Sequence, residues 1–355
     1  MRDFYRIDSH KLMFHVDRVA SWLGGKTVCP IYLEIAPCGS CNHRCIFCAV
    51  DYLNYKTSFL DVNILKDVIR DAAACGVKSV MYAGEGEPLL HKNIDLIVKA
   101  TRKAGIDVSI TTNGVFLNKE LSAKILKHLS WIRISLNAGS HEGYTKVHRA
   151  RPEDFSCVLD NLKNAVAIKK KARLKTVIGV QLLLIPENIS EVLSLAKTLK
   201  KIGVDYLTIK PYSQHPLSGS RIHSNFTYKD HAALENDLRK LEDKNFKIIF
   251  RFDTMERLGH IKDYKHCLGL PFWAYVNACG DVVACSAFLG KKEFIYGNIY
   301  RASFAKIMRG ARRKAILQKA ATRLDVNKCR EVCRLDKINS YLWELKNPGP
   351  HVNFI

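Results

Sequence analysis

The sequence predicts an α/β fold built on parallel strands, and two features lead to that reading. Short β-rich apolar runs alternate six times with amphipathic helical stretches between positions 31 and 210. Glycines stand at several helix ends (Gly76, Gly105 and Gly203), where a left-handed C-cap favours this residue. A strand–helix–strand series of this kind pairs its strands in parallel through crossover helices. Six units are too few for a full eight-unit barrel.

In order, strands are expected over 31–36, 79–83, 108–112, 132–137, 176–185 and 206–210. The helices between them are expected over 62–74, 94–104, 119–129, 155–171 and 190–202. Further along, the segment 275–284 alternates on either side of Cys279-Gly280-Asp281, a composition suited to a hairpin turn.

Composition sets the outer limits. An apolar content of 47% and a charged content of 25% are ordinary for a folded globular chain of 355 residues, long enough for two or three domains. No apolar run approaches the length of a membrane span. No apolar signal segment opens the chain, so a cytoplasmic protein is expected. Lys and Arg number 56 against 34 Asp and Glu, a net charge of +22. The excess gathers in 301–324, which has eight basic residues and no acidic one, and in Lys169, Lys170, Lys171, Arg173 and Lys175. Such runs attract anionic partners or simply solvate a surface. Neither interleaves aromatics as a groove for single-stranded RNA would, so a solvated surface is the expected reading.

The most informative segment is Cys41-Asn-His-Arg-Cys45-Ile-Phe-Cys48. Thiolates at i, i+4 and i+7 in one short loop can hold three irons of a [4Fe–4S] cube and leave the fourth open. Cys38 extends the stretch to C-x2-C-x3-C-x2-C, but three residues between the pairs are too few to wrap a tetrahedral zinc. A disulfide is not expected in a chain that looks cytosolic.

This C-x3-C-x2-C spacing, with Phe47 before the last cysteine, resembles the radical S-adenosylmethionine (radical SAM) superfamily. The resemblance implies a partial (β/α)6 TIM-like barrel, a [4Fe–4S] cluster on Cys41, Cys45 and Cys48, and S-adenosylmethionine chelated at the open iron. Cleavage there would yield methionine and a 5′-deoxyadenosyl radical. Gly84-Glu85-Gly86-Glu87-Pro88, after the second strand, resembles the family's glycine-rich S-adenosylmethionine motif. It implies cofactor contacts from Gly84, Gly86, Glu87 and Pro88, with Glu87 facing the ammonium. Asn113, Ser135 and Asn137 close the third and fourth strands and would contact the methionine or ribose portion. Phe47 would face the adenine, and Arg149, or a neighbouring cation among Lys146, His148 and Arg151, the carboxylate.

Cys267, Gly280, Cys285, Cys329 and Cys333 follow a second pattern, C-x12-G-x4-C and then C-x3-C. It resembles the SPASM/twitch extension of radical SAM enzymes and implies a small α+β domain with an auxiliary [4Fe–4S] cluster on Cys267, Cys285, Cys329 and Cys333. Zinc on the same four thiolates fits the spacing equally well. The resulting division is an N-terminal extension (1–29), a core (30–225), a linking helix and strand (226–260), a cluster domain (261–340) and a tail (341–355).

The function expected is radical oxidation of a carbohydrate-like or other small molecule, anionic or phosphorylated, with the auxiliary cluster accepting an electron. An external donor such as flavodoxin or ferredoxin would supply electrons. Epimerisation stays open, with Cys279 as a hydrogen donor. Peptide maturation stays open too, although about 30 residues precede the first strand where a leader-binding domain needs about 80. RNA modification is the alternative suggested by the basic charge. A non-enzymatic redox sensor is the last, and it would need no cofactor motif.

Overall fold

The computed structural model describes residues 5–221, 223, 226–228 and 232–354. The expected core boundary at 225 falls on a residue outside that set. Ten strands form one sheet: β1 Tyr32–Ile35, β2 Ser79–Tyr82, β3 Asp107–Thr112, β4 Trp131–Ser135, β5 Val177–Leu184, β6 Tyr206–Pro211, β7 Lys247–Phe250, β8 Trp273–Val276, β9 Asp281–Val283 and β10 Ile295–Asn298. Their order is β10-β9-β8-β1-β2-β3-β4-β5-β6-β7. Neighbours from β8 through β1 to β7 pair in parallel, and β9 and β10 pair antiparallel at the far edge.

All six expected strands are present, joined by the expected crossover helices. The match is close at Val62–Ala74, where Asp61 accepts from the N–H groups of Asn63 and Ile64 at 2.8 and 3.0 Å. Those bonds satisfy two of the four donors a helix start leaves free. Leu65, Val68, Ile69 and Ala72 then lie on one face, against the sheet. The parallel series runs further than six units. The segment expected as a linker supplies β7, and β8 pairs with β1 in the register Tyr32↔Trp273 to Ile35↔Val276. The hairpin expected around Gly280 is therefore an extension of the barrel sheet and not a detached layer.

Alternation along the strands separates core from interior. On β4, Ile132 and Ile134 enter the main apolar core, while Arg133 and Ser135 between them are half-buried. Successive side chains of a strand point to opposite faces, so the second pair faces the barrel interior. A smaller apolar cluster joins the N-terminal helix Val16–Leu23 to the C-terminal helix Asp336–Lys346 through Leu12, Val19, Phe272 and Leu342.

The basic segment 301–324 is mostly a solvated face, with one exception. Arg313 is 1% exposed and donates to the carbonyls of Met308, Val28 and Pro271. No helix among the described residues is long and apolar enough to cross a membrane.

Asp61→Ala removes the cap of Val62–Ala74 and is expected to cost about 1 kcal/mol. The check is a lower denaturant midpoint at unchanged slope.

Candidate active site

The loop after β1 brings Cys41, Cys45 and Cys48 to a cavity of about 310 Å3 at the C-terminal end of the parallel strands. Phe47, Gly84, Gly86, Glu87, Asn113, Ser135 and Asn137 line the same cavity. Pro88 is buried behind it, opening the short turn Pro88–Leu90. Arg149 is not in its wall. It ends the helix His141–His148 in a left-handed conformation, φ 46°, and points to solvent. The preceding residue, His148, takes the place in the wall.

His148 is 1% exposed, and its Nε2 accepts from the backbone N–H of Asn137 at 3.1 Å. A backbone N–H can only donate, so Nε2 carries no proton. Burial, and then the neighbouring His43, push the imidazole pKa down to about 3, which keeps the ring neutral. The single ring proton is therefore on Nδ1, which lies 3.2 Å from Cys45 Sγ and donates to it. The backbone N–H of His43 donates to Cys41 Sγ at 3.4 Å. Hydrogen bonds of this kind stabilise charge on a cluster thiolate.

The cysteine loop and the glycine-rich loop are fastened together. A Cβ on Gly86 would lie 2.3 Å from the Ser40 carbonyl oxygen, so no side chain fits there. The Glu87 N–H donates to that same oxygen at 2.8 Å, and Cys38 Sγ donates to the Glu87 carbonyl at 2.9 Å. Cys38 is thus a buried structural thiol. The Glu87 carboxylate accepts from Leu89 N–H at 2.9 Å, Thr112 Oγ1 at 2.6 Å and Asn113 N–H at 2.7 Å. Burial raises its pKa, and these three bonds oppose the rise. It ties β2 to β3 and keeps one lone pair free on Oε2, the oxygen bonded only by Asn113.

Cys267, Cys285, Cys329 and Cys333 line a second cavity of about 440 Å3. Ala287 N–H donates to Cys285 Sγ and Leu335 N–H to Cys333 Sγ, both at 3.4 Å, and Asn339 Nδ2 to Cys267 Sγ at 3.7 Å. Burial first, and then the neighbouring Cys333, push Cys267 up to about 12; burial pushes Cys333 up to about 11, against the Leu335 N–H and Lys262. Loading such a site means replacing thiol protons by metal cations.

Among the described residues, His43, Cys45 and His148 bring one ligand atom each to within 4.8 Å of one another.

Cys279 requires a correction. It is exposed at the hairpin turn, outside the lining of both cavities, with its N–H donating to Asn277 Oδ1 at 3.0 Å. The turn that brings β8 back as β9 points it outward, so it is not placed to return hydrogen to a substrate. Sequence reasoning missed Arg133, Gln181, Lys210 and Arg330 in the cavity walls. A charged residue inside the apolar alternation of β4, and another at the end of β6, were the available signals.

Comparison with known proteins agrees with this geometry. Residues 35–209 match the family model of the radical SAM superfamily, and residues 267–334 match that of the SPASM iron–sulfur cluster-binding domain. The chain belongs to the radical SAM superfamily and has a C-terminal SPASM domain. Its cofactors are S-adenosylmethionine and two [4Fe–4S] clusters.

Among curated relatives, a GTP 3′,8-cyclase of Chlorobaculum tepidum is 30% identical over 198 residues, 54% of this chain and 57% of that protein. A tungsten-containing aldehyde ferredoxin oxidoreductase cofactor-modifying protein of Pyrococcus furiosus is 25% identical over 279 residues, 75% of this chain and 74% of that one. The first match thus spans little more than half the relative's length. Among solved structures, Streptococcus suis SuiB bound to S-adenosylmethionine superimposes with a TM-score of 0.67 at 19% identity, covering 96% of this chain and 80% of that one. At that identity the likeness establishes the fold alone.

Anaerobically reconstituted protein is expected to hold about eight irons per chain, and about four after Cys41, Cys45 and Cys48 are replaced by Ala. Iron and sulfide analysis checks both values. His148→Phe, which removes a donor to Cys45 Sγ, is expected to lower the potential of the N-terminal cluster at unchanged iron content. An anaerobic redox titration followed by EPR reads that shift.

Proposed function

We propose that the protein oxidises a small molecule held between its two clusters. The carrying observation is that the two cavities share a wall: Ala49, Val50, Gly84, Gln181, Lys210 and Arg330 line both. A molecule in the common space can face the adenosyl site at one end and the auxiliary thiols at the other. When loaded, the N-terminal cluster supplies the electron that splits S-adenosylmethionine into methionine and a 5′-deoxyadenosyl radical.

For a secondary alcohol the balance is simple. The substrate carbon gives one hydrogen atom to the 5′-deoxyadenosyl radical, forming 5′-deoxyadenosine. The hydroxyl proton passes to Glu34, a carboxylate in the larger cavity whose pKa burial raises. A cluster held by Cys267, Cys285, Cys329 and Cys333 would accept the remaining electron, which would leave a ketone. Epimerisation is not favoured, because every cysteine lining either cavity belongs to one of the two cluster sets. The names of two relatives, a GTP 3′,8-cyclase and a nucleotide dehydratase of Lacinutrix mariniflava, support a nucleotide as one form of the substrate.

Reduced protein with S-adenosylmethionine alone is expected to release 5′-deoxyadenosine slowly. A panel of neutral sugars, sugar phosphates and nucleotides is then added in deuterated water. The expected result is faster release with one class and a product two mass units lighter, free of solvent deuterium at carbon. A product of unchanged mass apart from one carbon-bound deuterium would contradict oxidation. Stimulation by peptides alone would contradict the substrate class.

A further inference from the structure

The larger cavity, which shares part of its wall with the smaller one, has more cationic than carboxylate side chains in its lining. Lys210, at the end of β6, lies in this wall and makes no hydrogen bond or ion pair among the described residues. Four arginines surround it: Arg330, Arg251, Arg133 and Arg334. Two of these have carboxylate partners, Arg251 with Asp8 at 3.0 Å and Arg334 with Glu34 at 2.5 Å. Arg330 spends its guanidinium on the carbonyl and hydroxyl of Ser213, neutral groups, and stands next to Cys329. Arg133 has no acidic partner among the described residues. Its one aromatic contact is the Trp131 ring at 5.0 Å, and its Nε is buried without an acceptor. Two of these five cations thus have carboxylate partners; of the other acids in the lining, Asp336 pairs with Arg257 and Glu331 is exposed.

Isolated buried cations are costly and are kept where a partner arrives to pair with them. Burial, and then the four arginines, hold the Lys210 ammonium well below its ordinary pKa. An anion placed among these groups removes that penalty. The auxiliary thiolates lie beside Arg330 and Arg334 and account for part of the excess, because both arginines feel Cys285. They leave Lys210 and Arg133. These two project from β6 and β4, which flank β5 in the sheet, and Gln181 of β5 also lines the larger cavity.

We propose that Lys210 and Arg133, with Gln181 between them, form an oxyanion subsite that anchors the phosphate or carboxylate of the substrate between the two clusters. The inference rests on the functional reading above and narrows its substrate class to oxyanion-bearing small molecules. A flat guanidinium and a point ammonium on the two strands that flank β5 suit such a group. Its reacting carbon is then left to face the adenosyl site.

The test uses cluster-loaded protein saturated with S-adenosylmethionine, titrated calorimetrically with inorganic phosphate and separately with acetate. At least one anion is expected to bind saturably at one site per chain. Lys210→Met and the gentler Arg133→Lys are expected to weaken that binding about tenfold or more. Iron content should be unchanged in both variants. Preference for phosphate assigns the phosphorylated class, and preference for acetate assigns the carboxylate class. Binding of neither anion, binding indifferent to both substitutions, or binding abolished by S-adenosylmethionine would overturn the proposal. Failure of the oxidation reading shows separately, as an absent product with the anion still bound.

Discussion

The parallel pairing of β8 with β1 is the constraint on which the rest of the site depends. β1 leads into the loop of Cys41, Cys45 and Cys48, and β8 opens the hairpin that leads to Cys285. Four residues of each strand are in register, so the loop of Cys41, Cys45 and Cys48 and the hairpin that leads to Cys285 start from adjacent strands of one sheet. The ladder continues past the strands, with Ala36 N–H donating to the Val276 carbonyl at 2.9 Å. Side chains reinforce it. Tyr275 of β8 packs where a Cβ on Gly84 would sit, and Glu85 accepts from the Ala278 N–H at 3.1 Å. The loop expected to hold the cofactor and the hairpin expected to hold the auxiliary cluster are thereby one rigid assembly. Precise placement of this kind is what radical chemistry asks of a protein, since the cofactors supply the reactivity.

Electrostatics supplies the second condition. Cys41, Cys45, Cys267 and Cys285 do not ionise readily, because burial opposes it first and nearby negative groups, Glu87 at Cys41 and neighbouring thiols at the others, add to it. Metal cations and N–H···S hydrogen bonds reverse that balance, and donors from His43, His148, Ala287, Leu335 and Asn339 are already aimed at the sulfurs. Lys210 and Arg133, cations of the larger cavity without a carboxylate partner among the described residues, are the counterpart. They make the space between the clusters attractive to a negative group and costly to leave empty.

Much of this was legible in the sequence, for identifiable reasons. The six strand–helix units announce themselves by periodicity, and Val62–Ala74 is found where its pattern places it. The two thiol sets were expected from their likeness to family motifs, and the structure brings each set to the wall of one cavity. Three features were not. The helix His141–His148 was hidden because glycine and β-branched residues weaken its local pattern, while burial of Tyr144, Val147 and His148 supplies its stability. Arg149 was favoured over His148 on charge, but only the helix end shows which side chain turns inward. The β8–β1 pairing joins residues about 240 positions apart, and local composition does not report so distant a contact.

The measurement that bears most directly on the account is EPR of the dithionite-reduced, reconstituted protein with and without S-adenosylmethionine. The account predicts two [4Fe–4S] components. S-adenosylmethionine should perturb only one of them, the one missing from the variant in which Cys41, Cys45 and Cys48 are Ala. A single component, or two components that both ignore S-adenosylmethionine, would contradict it.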